Sequence, residues 1–216
     1  MNTEYARLQM VNQQVRGWNV YDENVLAMLK ALPREDFVPA GYESLAFADM
    51  AIPLGHGETM MTPTVEGRLL QALALRGDER VLEVGTGSGF MTACLARLAA
   101  HVTSIDIYAE FVDSATRKLE QASIDNVELM QMDATQELPG DGYDAIALTG
   151  SLHRFDPHFV EALAEHGRLF VVVGDAPAME AKLIERLSDR DWQSISLFET
   201  DLKPLVHGGK PPEFTF

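Results

Sequence analysis

The residues best placed to do chemistry stand at the ends of three apolar runs. The stretch VLEVGTGSGF carries Gly85, Gly87 and Gly89 directly after RVLEV, a spacing that bends a strand into a helix and lets backbone approach a ligand closely. Asp106 closes the next run, HVTSID, about 20 residues beyond Gly85, where a carboxylate can accept hydrogen bonds from both hydroxyls of a ribose. Asp133, in MQMDA, follows the third run, where it could accept from an adenine amino group. A glycine turn alone serves dinucleotides and nucleosides alike. Two details separate them here. The dinucleotide fingerprint wants a small residue where this chain has Phe90, and Glu83, two places before the first glycine, suits an ammonium or sulfonium better than two phosphates. Any one of these acids could be a solvated strand end, but three at successive strand ends form a pattern.

To converge, these positions need parallel strands joined by helices. Short apolar runs supply them: RVLEV, HVTSID, NVELMQ, YDAIALT and GRLFVVVG read as strands, and WQSISLFET as a further one. Helical stretches are expected near 89–99, 109–122, 157–165 and 177–187. The alternation implies an α/β fold, a doubly wound, Rossmann-like, mainly parallel sheet with helices on both faces. Ahead of it, two amphipathic helices are expected. One lies around 3–16, and the other runs from Asp22 as N-cap to a stop at Pro33, with irregular chain beyond. Thr62-Pro63 makes a cap and first-turn pair for VEGRLLQALAL, which should run to a turn at Gly77-Asp78. The chain thus reads as one domain, with residues 1–62 a helical extension and 63–216 the ligand-binding core. The tail PLVHGGKPPEF is turn-rich and should be mobile or ligand-dependent.

Composition limits the partners. The 216 residues carry 33 acids against 17 bases, a formal charge of -16 that repels phosphate backbones, so nucleic acid is not an expected partner. No apolar run approaches the roughly 20 residues needed to span a bilayer, and the N-terminus lacks the pattern of a signal peptide. A soluble, cytoplasmic protein without membrane partners is the expectation. Cys94 is the sole cysteine and reads as a small buried hydrophobe in FMTACLARLA. His101, His153, His158, His166 and His207 have no ligand spacing, so no metal is assigned.

EVGTGSG, Asp106 and Asp133 together resemble the cofactor motifs of class I S-adenosylmethionine-dependent methyltransferases. In order and spacing, LPREDFVP, YESLAFAD, IPLGHGETMMTP and VLEVGTGSGFMTACLA resemble protein-L-isoaspartate O-methyltransferases, and PLVHGG is similar to that family's tail segment. The resemblance implies S-adenosylmethionine as cofactor, held by Glu83, Gly85, Thr86, Gly87, Ser88, Gly89, Asp106, Ile107, Asp133, Ala134 and Thr149. The partners it implies are isoaspartyl proteins or peptides, or another carboxylate substrate, methylated as the first step of protein repair. A carboxylate with a pKa near 4 needs no general base at neutral pH, so orientation and electrostatics would carry the reaction.

The substrate loop departs from the family's pattern of glycine, glutamine, threonine, isoleucine, serine, any residue and proline. This chain has Gly57, Glu58, Thr59, Met60, Met61, Thr62 and Pro63. Met61 falls where the family has its catalytic serine, leaving Thr59 or Thr62 to supply a hydroxyl. Glu58 puts a negative charge where an anionic acceptor would come. His56, Gly57 and Met60 are the candidate acceptor contacts, with backbone amides near Gly57 and Thr59 as donors. Downstream, Ala134 stands for a family glycine and TGSLHRFDP for an alanine- and proline-rich turn. Two bland readings stand beside these: the methionines as core packing, and His56 as a brace for the loop. Three functions follow: an isoaspartyl methyltransferase, a cofactor-binding relative with a changed or lost acceptor, and a nicotinamide-dependent oxidoreductase. Phe90 and the lack of a proton-relay pair count against the last.

Overall fold

The computed structural model describes residues 3–208. Helix α1 (Thr3–Gln9) passes into a π-helical turn over Met10–Val15 and a 3-10 turn over Arg16–Trp18, and Asn19 ends the stretch at φ 62°. Helix α2 (Glu23–Ala31) starts where the sequence indicates, because the Asp22 side chain accepts from the backbone N–H groups of Asn24 and Val25 at 2.8 and 3.2 Å. Met10, Val11 and Val15 share one buried cluster with Val25, Leu26 and Leu29, so these helices form a layer of the core.

The stretch expected to be irregular contains order. It holds 3-10 turns at Arg34–Asp36 and Glu43–Leu45, then a hairpin of β1 (Ile52–Gly55) and β2 (Glu58–Met60). The two turn residues, His56 at φ 51° and Gly57 at φ 77°, both take the positive angles that a tight two-residue hairpin demands. Helix α3 (Pro63–Leu73) follows, capped by Thr62, whose hydroxyl accepts from the Val65 N–H.

The main sheet has seven strands: β3 (Arg80–Val84), β4 (His101–Asp106), β5 (Val127–Gln131), β6 (Tyr143–Leu152), β7 (Leu163–Asp175), β8 (Ala178–Ser188) and β9 (Asp191–Thr200). Their spatial order is β5-β4-β3-β6-β7-β8-β9, parallel through β7 and antiparallel thereafter. Helix α4 (Phe90–Leu98) links β3 to β4, and α5 (Ala109–Gln121) links β4 to β5. The chain then returns across β3 to lay down β6, so the strand order reverses between β3 and β6. A crevice for ligands opens at that point, at the carboxyl ends of the strands.

Two helical expectations fail. Residues 177–187 form strand β8, hydrogen-bonded to β7 on one side and β9 on the other, and the expected helix at 157–165 shrinks to α6 (His158–Glu161), with β7 already under way at Leu163. The helical cover is therefore unequal. Helices α2, α3 and α4, with Leu119 of α5, bury one face, while Phe159 and Val160 of α6 pack on Leu169 and Val171 across the other. Of the turn-rich tail, residues 204–208 run beside β6, with Pro204 bridging Ser151, and residues 209–214 lie outside the described ones. Among the described residues no helix is long and apolar enough to cross a membrane.

Candidate active site

At the reversal point the chain builds a pocket from strand ends. Gly85 turns at φ 100° and donates to Ile105 O at 2.8 Å; a Cβ here would collide with the Thr149 hydroxyl, which itself lies 2.7 Å from Gly85 O. Asp106, buried at the end of β4, accepts from Gly87 N–H at 2.8 Å through one oxygen and from Tyr108 N–H at 3.0 Å through the other. Burial raises its pKa above the usual carboxylate range, against the pull of those two amides. Each oxygen keeps a lone pair for a further donor, which suits a vicinal diol. Asp133 accepts from the Thr135 hydroxyl at 2.7 Å and from His207 Nδ1 at 2.8 Å. Burial pulls its pKa upward, but the hydrogen bonds from Thr135 and His207 prevail and hold it low.

Gly85, Gly87, Asp106, Ile107, Asp133, Ala134 and Thr149 line this pocket, together with Glu58 and Thr59 of β2. Glu83, Thr86, Ser88 and Gly89 do not. Gly89 caps α4 in the left-handed region, and Ser88 accepts from Phe90 N–H. Thr86 sits 2.6 Å from the Ser104 hydroxyl, and Ser104 and Thr92 in turn donate to one oxygen of Glu83 at 2.6 and 2.5 Å. The other Glu83 oxygen has no partner among the described residues, and burial pushes the group up to about 8. The sequence suggested a counter-charge for a cationic ligand here. The structure instead places a sealed, largely protonated acid behind the turn. Phe90 faces the other way as well, edge-on to Phe37 at 5.6 Å and under the Arg34 guanidinium.

The free volume of the pocket is about 90 Å3, below the roughly 300–1,000 Å3 of ordinary ligand sites, because residues 202–206 cross it. Leu205 occupies space beside Gly150, where a Cβ would come within 2.7 Å of its side chain. Ser151 ties this strap down, donating its hydroxyl to Leu202 O at 2.6 Å and accepting from Leu205 N–H at 2.9 Å.

On the far side of Thr59, Leu202, Lys203 and Pro204 lies a second cavity of about 540 Å3, so those four residues are a shared wall. Met60, Met61 and Met179 give it an apolar lining, and Asp175 and Asp201 contribute carboxylates. Met60 and Met61 are both buried, so they pack in the core and face the cavity at once. The Thr62 hydroxyl, besides capping α3, lies 3.0 Å from that of Thr64, which donates to Asp49. His56 lines neither cavity. It stacks on Tyr108 at 4.2 Å and meets Phe111 edge-on at 5.5 Å, which braces the hairpin against α5. Gly57 offers its carbonyl to the Lys203 ammonium, and Lys203 also pairs with Glu58 at 3.0 Å.

Sequence reasoning missed Lys203 and a second cation, Arg34. Arg34 is fully buried, ion-paired with Glu66 of α3, and donates to Ala46 O and Met61 O, both at 2.8 Å. It thereby fixes the backbone between β2 and α3. Burial pushes Glu66 up to about 7 against the opposing guanidinium. Its signal was present in LPREDFVP, but only as part of a resemblance. Cys94 is buried and its thiol is pushed upward by burial. Among the described residues, no group of three His, Cys, Asp or Glu could hold a metal ion.

Both the sequence and the fold of this chain have counterparts among known proteins. A family profile described as protein-L-isoaspartate(D-aspartate) O-methyltransferase matches residues 6–208. Protein-L-isoaspartate O-methyltransferase from Methanoculleus marisnigri is 36% identical over 182 residues, 83% of either chain. Protein-L-isoaspartate O-methyltransferase 1 from Rhodopseudomonas palustris is 36% identical over 202 residues, 93% of this chain and 82% of its own. A candidate protein-L-isoaspartate O-methyltransferase from Plasmodium falciparum, solved in complex with S-adenosyl-L-homocysteine, shares the fold. Its TM-score is 0.80 over 92% of this chain and 97% of its own, at 18% identity. The match takes in the N-terminal helices, the β1–β2 hairpin and the glycine turn in one unbroken span, and the chain belongs to the protein-L-isoaspartate(D-aspartate) O-methyltransferase family.

Proposed function

We propose that this chain methylates the free carboxylate of isoaspartyl residues in proteins and peptides, with S-adenosylmethionine as methyl donor, as the opening step of protein repair. The observation that carries the reading is the shared wall: Thr59 and Lys203 border both a nucleoside-like pocket and a separate cavity, so donor and acceptor can meet across them. The residues present fit the cofactor. Asp106 would hold the ribose hydroxyls, Asp133 the adenine amino group, and Ile107 and Ala134 the faces of the base. When bound, S-adenosylmethionine supplies an electrophilic methyl group on a sulfonium. The chain's own work is to align and to desolvate. The acceptor is ionised at neutral pH, so no side chain need remove a proton, and Met60, Met61 and Met179 keep water from the reacting oxygen. Residues 1–62 serve as the cover of the acceptor side, with the hairpin as its inner surface.

A second reading rests on Met61. A buried thioether at the position of the family's serine favours a cofactor-binding relative whose acceptor is more apolar. Transfer of labelled methyl to an isoaspartyl peptide, with the normal aspartyl peptide as control, separates the two. Selective, base-labile labelling is expected. Absence of label alongside measurable cofactor binding would favour the second reading.

A further inference from the structure

An anionic acceptor entering this chain meets a poor reception. The formal charge is -16, Glu58 lines one cavity, and Asp175 and Asp201 line the other. The serine hydroxyl that the family pattern would place at the loop is replaced by Met61. Among the described residues that line either cavity, Lys203 is the sole cation, and it belongs to the wall between them. Its ammonium group is held by Gly57 O and by Glu58 at 3.0 Å, two acceptors on the substrate hairpin that lie far from it in sequence. The side chains of Lys203 and Glu58 are 39% and 22% exposed. An ion pair so open to water contributes little, so exchanging one carboxylate partner for another costs little. Asp175, on the acceptor side, shares a hydrogen bond with His153 at 2.6 Å.

We propose that Lys203 takes up the acceptor's carboxylate, turning from Glu58 to the incoming anion and supplying the polar contact that Met61 cannot. The inference rests on the isoaspartyl reading and adds to it the residue that recognises the acceptor's charge. It also explains why Glu58 is tolerated at the site. Glu58 holds the ammonium at the shared wall until the acceptor arrives, so the two unusual residues of the hairpin, Glu58 and Met61, are both answered by one lysine.

The test compares two peptides of the same sequence, one with an isoaspartyl residue and one with its carboxamide counterpart, binding to the wild-type chain and to Lys203→Met. Fluorescence anisotropy reads affinity without turnover, and calorimetry with S-adenosylhomocysteine checks that the cofactor side is intact. The wild type is expected to prefer the acid. Lys203→Met should weaken the acid about tenfold to a hundredfold, the range for a hydrogen bond to a charged group, while leaving the carboxamide peptide and S-adenosylhomocysteine within about twofold. Lys203→Arg should keep the preference. A lysine that merely braced the hairpin would, when removed, weaken acid and carboxamide alike, and that result overturns the proposal. So does an unchanged acid affinity in Lys203→Met, and if the wild type still methylates the isoaspartyl peptide, the proposed function survives it. A wild type that neither binds nor methylates that peptide removes both. Lys203→Gln provides the same comparison should the methionine variant not fold.

Discussion

Asp106 has one amide on each oxygen and lines the pocket, so its role can be tested by one substitution. Asp106→Ala is expected to weaken S-adenosylmethionine binding on the order of a hundredfold, as two charge-assisted hydrogen bonds are lost. Calorimetry measures it, and an unchanged affinity would remove the ribose role. Met61→Ser tests the loop from the other side. Because Met61 is buried in the main core cluster, the substitution should cost about 2–4 kcal/mol of stability in a denaturant titration. Any isoaspartyl methylation should nevertheless rise, since a hydroxyl returns to the acceptor wall. Glu58→Gln frees Lys203 from its charged partner and should tighten the isoaspartyl peptide severalfold in the same anisotropy assay. At this scale the sequence was most legible where chemistry follows strand ends, at Gly85, Asp106 and Asp133. It was least legible for Lys203, whose partner lies 145 residues away, and for Glu83, whose lack of solvent cannot be seen in a linear string.

Among the elements, the parallel strands could be read because each is a short apolar run bounded by turns, and α2 and α3 because Asp22 and Thr62 are caps by residue type. Strand β8 could not. AMEAKLIERLS is rich in Ala, Met, Glu, Lys, Leu and Arg, all good helix formers, yet it is paired on both edges, and those ladders outweigh a preference worth only tenths of a kcal/mol per residue. Lys182 pairs with Val171 on one side and Ser196 on the other. Lys182→Pro should therefore destabilise the fold by about 3 kcal/mol or more, a cost comparable to a proline within a helix, while also detaching β9 from the sheet. Hydrogen exchange distinguishes strand from helix here: amides of 191–200 should lose protection in the variant together with those of β8. The hairpin at 52–60 was likewise hidden, because its turn uses a histidine at positive φ where Asn or Gly is the usual signal.

For the molecule as a whole, the buried acids set a pH dependence. Glu83 rises from 4.5 to about 8 and Glu66 from 4.5 to about 7, both driven by burial. Between the lower and upper values the folded chain retains protons that the unfolded chain has released. Stability is therefore fully supported below pH 4.5, falls as pH rises through that window, and levels off above about 8. Asp133 and Asp156 shift the opposite way, so their contribution is present above 3.8 and lost as pH falls through their lower folded values. Denaturation midpoints are expected to peak at about pH 4, by this linkage, and to decline toward pH 8, with Glu83→Gln flattening the decline. A midpoint that climbs from pH 5 to 8 would show that Glu83 ionises in the fold. The buried Arg34 has a different consequence, in the order of manufacture. Its carboxylate partner, Glu66, and the Met61 carbonyl emerge from the ribosome after it, and Met10 through Leu32 share a cluster with Phe170 and Leu202. A guanidinium buried without its partner costs about 3–5 kcal/mol, so the nascent segment cannot close on itself. The part of the chain made first is therefore expected to dock only once Glu66 and the strand that carries Phe170 have been made, and a chain truncated before β7 should leave its apolar helices exposed.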